Sequence, residues 1–355
     1  MNYSQVEPDI DQDDIEKVVD YLNSGGWITE HSETRELENN LKSFVGRNHA
    51  AAVPNGTIAI YLSLLALGLE GKKIAVPNIT MIATINAIIW ANSTPVLIDV
   101  NENMCMSLEK LQLHKDVDAV IYVPLNGRTS EGLDIQDWCY KNKVKLIEDS
   151  AHALGSSYGK ISCGNLGDAS VLSFTPHKII TMGQGGMVLS NNNLIHDFIN
   201  DIKTFNRSKD AEDWHKGFGL NFKITDLQAA LGLAQYKKLE KYIANKKRNH
   251  TLYEKYITNK NIEVLNFKDY EVPWFFDVKI ESEDYKKYLT SELKKRGVQT
   301  RNLYPALSKQ DYLMKFNHGN LDYSENNYNK IIWLPSSNSL KEEDIIQISE
   351  LINSL

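Results

Sequence analysis

Between residues 50 and 150 the chain alternates short β-branched runs with stretches of apolar residues at helical spacing, and that alternation leaves few folds open. Strand-like runs at 50–53, 73–76, 95–99, 119–123 and from Val144 onward are separated by helical patterns at 57–69, 81–91, near 107–113 and around 135–142. Repeated β-α units of this length predict a mostly parallel sheet covered by helices on both faces. Two amphipathic helices precede it, at 11–23 (Ile15, Val18, Val19, Leu22) and 33–45 (Leu37, Leu41, Phe44), stopped by Gly25-Gly26 and by Gly46. The pattern at 57–69 is apolar nearly all round, which implies burial on several sides.

After Leu189 the texture changes. Residues 193–204 read as a helix, 203–219 are polar with Phe205, Trp214 and Phe218 interspersed, and one long helix is expected from about Thr225 toward Ile257. The remainder reads as a strand at 273–280, a helix at 282–296, a strand at 298–301 and a last helix from Glu342. The expected architecture is α/β: a large domain over residues 1–240 and a smaller C-terminal α/β domain over 241–355. A length of 355 residues with 42% apolar content suffices for both cores.

Charge narrows the function classes. Lys+Arg 39 against Asp+Glu 46 gives a net charge of −7, so there is no basic surplus for a phosphate backbone and nucleic-acid binding is not expected. The acidic N-terminus lacks the apolar core of a signal peptide, and the longest apolar stretches fall short of a membrane span. A cytoplasmic protein without membrane attachment is the expectation. Cys105, Cys139 and Cys163, like the nine histidines, show no metal-ligand spacing, so no metal is expected.

The chemistry concentrates in residues 144–189. A β-branched run ends in Glu148 and Asp149, His152 follows one turn later, a second strand (169–174) leads into Pro176, His177 and Lys178, and Gly183, Gly185 and Gly186 form a turn into a third strand. One acid, one imidazole and one amine thus arrive at strand ends, where α/β enzymes place their sites. That set suits pyridoxal phosphate (PLP), which needs a lysine for its aldehyde, a carboxylate against its pyridine nitrogen, cover for the ring and donors for its phosphate. Lys178 is the candidate amine, although an ordinary turn lysine is the competing explanation. Asp149 is the candidate carboxylate, with capping of the next turn as its alternative. Glu148 competes for the role, but strand alternation puts the two acids on opposite faces. His152 could touch the ring or serve only structure. Gly56-Thr57, opening the apolar helix, form a phosphate cradle or a simple N-cap, and Ser173 adds a phosphate contact or a strand-end hydrogen bond. The Gly-rich turn leads into a strand, not a helix, which disfavours a dinucleotide site.

Six segments then matter together: GTIAIYLSLLALGL from Gly56, PNITMIATINA from Pro77, LIEDSAHALGSSYGK from Leu146, GDASVLSFTPHKIITMGQGGM from Gly167, LNFKITDLQAALGLAQ from Leu220 and VQTRNLYPAL from Val298. In order and spacing they resemble the DegT/StrS group of nucleotide-sugar aminotransferases over nearly the whole chain, most closely its sugar 4-aminotransferases. The resemblance implies a fold-type-I aminotransferase with PLP (and its amino form, PMP) as cofactor. Lys178, Asp149 and His152 fall on the catalytic positions, and Gly56, Thr57 and Ser173 on the phosphate positions. Met81 falls where many members stack an aromatic residue on the ring. Asn221 matches an asparagine that reaches the neighbouring subunit's cofactor, which implies a homodimer with shared sites. Arg301, Tyr304 and His177 are expected to border the substrate. The implied reaction passes the amino group of L-glutamate to a keto carbon, C-4, of a nucleotide-linked keto-deoxysugar, giving an amino sugar for a surface glycan such as the O-antigen of lipopolysaccharide. Gln184, Lys223 and Leu307 replace the family's usual glutamate, arginine and histidine. A PLP-dependent sugar dehydratase, which carries histidine in place of the lysine, and a catalytically silent regulatory protein are the alternatives. The register of Ser173, Lys178 and Gly183 assigns the key position to Lys178 rather than His177.

Overall fold

The computed structural model describes residues 2–208, 210–316 and 319–355. In chain order the elements are α1 (Gln12–Asn23), α2 (Ser32–Val45), β1 (His49–Val53), α3 (Gly56–Ala66), β2 (Lys73–Pro77), α4 (Ile82–Trp90), β3 (Thr94–Ile98), α5 (Leu108–Leu111), β4 (Ala119–Tyr122), α6 (Gly132–Asn142), β5 (Lys145–Asp149), the two-residue strands β6 (Ser157–Tyr158) and β7 (Ile161–Ser162), β8 (Ala169–Ser173), β9 (Gly186–Ser190) and α7 (Asn193–Lys203). There follow α8 (Asp226–Lys237), α9 (Leu239–Tyr256), β10 (Ile262–Val264), β11 (Phe276–Ile280), α10 (Glu283–Lys295), β12 (Arg301–Asn302), α11 (Asp322–Asn327), β13 (Ile331–Leu334) and α12 (Glu342–Asn353).

The predicted βα alternation forms a seven-stranded sheet in the order β1-β9-β8-β5-β4-β2-β3. It is parallel from β3 through β8, and β9 runs antiparallel to both β8 and β1. Every residue of β4 and β9 is buried, as expected for strands covered on both faces. The Gly-rich turn has a steric purpose. A Cβ on Gly186 would lie 2.4 Å from the Asn55 carbonyl group, so only glycine lets β9 pass against the start of α3.

A second sheet, β10-β11-β13-β12, is antiparallel throughout. Its own core joins Phe276, Val278 and Ile332 to Leu289 of α10 and Ile345 and Ile348 of α12. The two sheets are tied by a buried ion pair: Arg128, after β4, donates to both Asp277 oxygens at 2.6 and 2.7 Å. Beside it, the Asn126 carboxamide accepts from Phe275 N–H at 2.7 Å, and the Asn126 carbonyl accepts from Trp274 N–H at 3.2 Å. Those bonds explain why the strand expected from residue 273 begins only at Phe276: the backbone before it pairs with a turn instead of a neighbouring strand. The strand expected at 298–301 reduces to β12, while Val298 makes a lone bridge to Tyr3.

Two further expectations are corrected. The single long helix is broken at Lys238, whose N–H closes on Gln235 while its ammonium is held by Asp11 at 2.8 Å and Asp14 at 2.6 Å. The apolar stripe of α1 faces outward: Ile15 and Leu22 are about half exposed, at 51% and 52%, whereas Asp14 and Tyr21 are buried. Asp14 takes Lys238 and Gln235, and the Tyr21 hydroxyl donates to Asp226 at 3.0 Å. Paired polar groups thus bury the face that hydropathy alone would leave in water.

Candidate active site

The carboxyl ends of β5 and β8 and the N-termini of α3 and α4 converge on a cavity of about 320 Å³. Every candidate site residue lines it except Asn221. Two larger cavities, of about 770 and 760 Å³, lie elsewhere and hold none of these residues.

Strand alternation separates the two acids as expected. Glu148 points away from the cavity, wholly buried, and accepts from the Tyr158 hydroxyl (2.9 Å) and from the N–H groups of Gly164 (2.9 Å) and Leu166 (2.8 Å). It holds a loop. Asp149 faces the cavity, where its Oδ2 accepts from the Thr84 hydroxyl of α4 at 2.8 Å and its Oδ1 from Ala151 N–H at 3.3 Å. Burial raises the Asp149 carboxyl above its usual range, opposed by the Thr84 bond and the Lys178 charge. The Lys178 amine is driven the other way, to about 7, first by burial, with Asp149 opposing and Arg301 assisting. An amine near neutrality can both take up and release a proton.

His152 is buried with its Nδ1 lacking any hydrogen-bond partner among the described residues. Its ring stacks on Trp274 (centroids 4.1 Å apart) and lies near Tyr304, whose hydroxyl is 3.5 Å from Nε2. Burial and the neighbouring Lys178 push His152 well below its ordinary value, so the imidazole is neutral. His177 is lowered to about 4, mainly by burial. Burial raises the Tyr304 hydroxyl, with Arg301 opposing.

At the opposite end, Asn55 caps α3 by accepting from Ile58 N–H at 3.0 Å. That frees the Thr57 hydroxyl from the capping role it would otherwise share. Gly56 lies close against Ser173 of β8: a Cβ there would approach Ser173 Cβ to 3.2 Å. Exposed amides, a free hydroxyl, Ser173 and the positive helix end make a seat for a phosphate dianion. Met81 opens α4 at the cavity edge, 42% exposed, its sulfur accepting from Ala83 N–H at 3.0 Å.

These features fit PLP. The α3 N-terminus with Ser173 would seat the phosphate, and the buried Asp149 carboxylate and the low-lying Lys178 amine would answer the ring nitrogen and the aldehyde. Replacing Gly56 with alanine is expected to raise the PLP dissociation constant about tenfold, the equivalent of one hydrogen bond to a charged group. The φ of Gly56 is not positive, so the backbone accepts alanine, and Ser173 must give by a few tenths of an ångström. A fluorescence titration of cofactor-free protein measures it, and an unchanged affinity would move the phosphate elsewhere.

Asn221 is exposed and sits on a segment bridged to Thr204, away from the cavity. Residues not anticipated from the sequence are Thr84, which holds Asp149, and Trp274, which supports His152. The Thr84 hydroxyl in the first turn of α4 carries no distinguishing sequence signal, and Trp274 reads as an ordinary strand residue.

An amine and a carboxylate at adjacent strand ends, facing a helix N-terminus across a small cavity, define an α/β enzyme of the PLP-dependent class. The chain belongs to the DegT/DnrJ/EryC1/StrS aminotransferase family, which matches residues 8–353. It is 32% identical to GDP-perosamine synthase of Escherichia coli O157:H7, over 92% of this chain and 91% of the relative. It is 30% identical to the UDP-4-amino-4,6-dideoxy-N-acetyl-beta-L-altrosamine transaminase of Campylobacter jejuni serotype O:2, over 84% of this chain and 74% of the relative. Among solved structures it superposes on Helicobacter pylori PseC, an aminotransferase involved in the biosynthesis of pseudoaminic acid, with a TM-score of 0.94 and 25% identity, covering 100% of this chain and 99% of that one.

Proposed function

We propose that this chain transfers the amino group of L-glutamate to the keto carbon, C-4, of a nucleotide-linked keto-deoxysugar, producing an amino sugar for a surface glycan of the O-antigen type. The observation that carries this reading is the meeting of Lys178 and Asp149 in one cavity with the α3 N-terminus. Its family, and its likeness to a perosamine synthase, support a sugar nucleotide as acceptor. PLP, cycling with PMP, is the cofactor, and when bound it supplies an electron sink for the carbon that loses or gains the amino group.

The chain's own residues do the rest. Gly56, Thr57 and Ser173 hold the phosphate. Asp149 keeps a proton on the ring nitrogen, its position fixed by Thr84. His152, held neutral, would lie beside the ring. Lys178 would hold the aldehyde and, when free, would take up and release a proton at Nζ. Arg301, Tyr304 and His177 border the space left for the sugar, and Met81 covers the ring with a thioether. An intact lysine at position 178 favours transamination over dehydration. The test is a screen of GDP-, UDP-, dTDP- and CDP-linked keto sugars with glutamate, read by product mass. A glutamate-independent, dehydrated product would overturn the reading.

The assembly belongs to the same proposal: a homodimer in which Asn221 completes the partner's phosphate site. Its exposure outside the cavity supports this, as do the outward apolar residues Ile15, Leu22, Trp27 and Phe218. Mixing Lys178→Ala with Asn221→Ala subunits is expected to restore activity that neither variant has alone, because a hybrid dimer carries one complete site. No recovery on mixing would place Asn221 outside the partner's site. The break at Lys238 is the proposed boundary between a large cofactor domain and a small one. The proposed location is the cytoplasm, where activated sugar nucleotides and glutamate are available.

A further inference from the structure

Trp274 lies directly behind Lys178 and His152 and has no part in the proposed mechanism. It is fully buried and does not line the cavity, so it cannot touch a substrate there. Its ring is held from several directions. The indole N–H donates to the His177 carbonyl at 2.6 Å, and the backbone carbonyl accepts from the buried Lys246 amine at 2.8 Å. Phe275 stacks on it at 3.8 Å and Trp333 meets it edge-on at 5.9 Å. A side chain so restrained presents a fixed surface. His152 is stacked on the indole, and Lys178 Nζ lies 4.1 Å from its ring centroid.

The second observation concerns the amine. Among the described residues Lys178 Nζ makes no hydrogen bond and no ion pair; the Asp149 charge favours its ammonium form, and the indole ring, with its centroid 4.1 Å away, offers a π face in direct contact. The titratable or charged groups around it are Asp149, His152, His177, Arg301 and Tyr304. Arg301 disfavours a second positive charge, and both imidazoles are neutral. A lysine that shuttles a proton must spend part of the cycle as an ammonium, away from water.

We infer that Trp274 is a positioning residue of the reaction, whose indole face receives the Lys178 ammonium between proton pick-up and proton delivery. The inference rests on the proposed role of Lys178. In that interval the substrate C–H bond has broken, its proton sits on Nζ as a third N–H, and its electrons remain with the carbon skeleton. The N–H then breaks as a new C–H bond forms. Attraction to the ring keeps the charged amine in reach of both carbons, and the stack on His152 keeps that imidazole in the same frame.

The test compares wild type, Trp274→Phe and Trp274→Leu as full-length proteins. Cyanate, which reacts with neutral amines, is applied to cofactor-free protein across a pH series, and Lys178 carbamylation is followed by mass spectrometry. Loss of the π face in Trp274→Leu is expected to lower the apparent pKa of Lys178 by about one unit, with the phenyl ring of Trp274→Phe giving a smaller shift. The acidic limb of the glutamate half-reaction in the loaded enzymes should move in the same order. Two results would overturn the inference: unchanged titration in the variants, or equal shifts in both, which would assign the effect to the lost N–H bond to His177. If Trp274→Leu does not fold, Trp274→Phe decides between a shift and none. Borohydride trapping of PLP on wild-type protein separates this from the underlying reading. A label on Lys178 with unmoved titration sinks only the role of Trp274, whereas a label on another lysine sinks the assignment of Lys178.

Discussion

Lys178→Ala is expected to lower the glutamate-dependent turnover at least about 10³-fold, because in the proposed mechanism it removes both the covalent anchor for the cofactor and the group that moves the proton. The visible absorbance of the bound cofactor should shift to that of free PLP, and borohydride treatment should leave no pyridoxyl label on the peptide containing residue 178. Stability should move the other way. The amine titrates near 7 in the fold, below its unfolded value of about 10.4. A depressed lysine contributes stability that is present above the unfolded value and is lost as pH falls toward the folded one. At pH 7.5 much of that loss has already occurred, so the alanine variant removes a cost. Since Lys178 lines an open cavity, truncation creates no sealed void. A melting temperature equal to or above that of wild type, in cofactor-free protein, is the expected result. Retained activity would dismiss Lys178 from the mechanism, and a collapsed melting temperature would show that the amine serves the fold.

Asp149→Asn should give the second largest loss, about 10²–10³-fold in turnover, the range found when one preorganised electrostatic partner of a developing charge is removed. Asparagine keeps the shape and still accepts from Thr84, but cannot hold a proton on the ring nitrogen by charge. The expected signature is a lower turnover with PLP still retained, visible in single-turnover absorbance changes with glutamate. Burial raises the folded value of Asp149 above its unfolded one, so its contribution to stability is full below about pH 3.9 and declines as pH rises through the folded value. At neutral pH the carboxylate is a cost that the amide lacks, and the melting temperature of the cofactor-free variant should not fall. A variant with normal turnover would move the ring-nitrogen partner to another residue.

Both predictions involve residues that could be named before the fold was known, and the reason is local. The distance between Asp149 and Glu148 is one residue, and the two-residue period of a strand decides which faces the cavity. The position of Lys178 after β8, and of Gly56 at the start of α3, follows from the ends of regular elements. Thr84 and Trp274 were not legible in this way. Thr84 meets Asp149 from 65 positions earlier in the chain, and Trp274 meets His177 from 97 positions later. Nothing in their own neighbourhoods marks them, since a threonine in a helix and a tryptophan before a strand are both common packing residues.

The exposed stripe of α1 shows the limit more sharply. Its hydropathy alone favours burying Ile15, Val19 and Leu22, yet Asp14 and Tyr21 go inward because Lys238, Gln235 and Asp226 are waiting there. A polar group is buried where its partner is, and the partner here arrives from more than 200 positions away. The same ammonium marks the break that divides the expected long helix into α8 and α9. By itself the sequence determined the strand–helix alternation, the parallel sheet that follows from it, and the placing of Asp149, Lys178 and Gly56-Thr57 at element ends, because each rests on short-range periodicity. Tertiary structure alone decided which side chains support them, since hydrogen bonds and ring contacts between remote segments exist only once the chain has closed on itself.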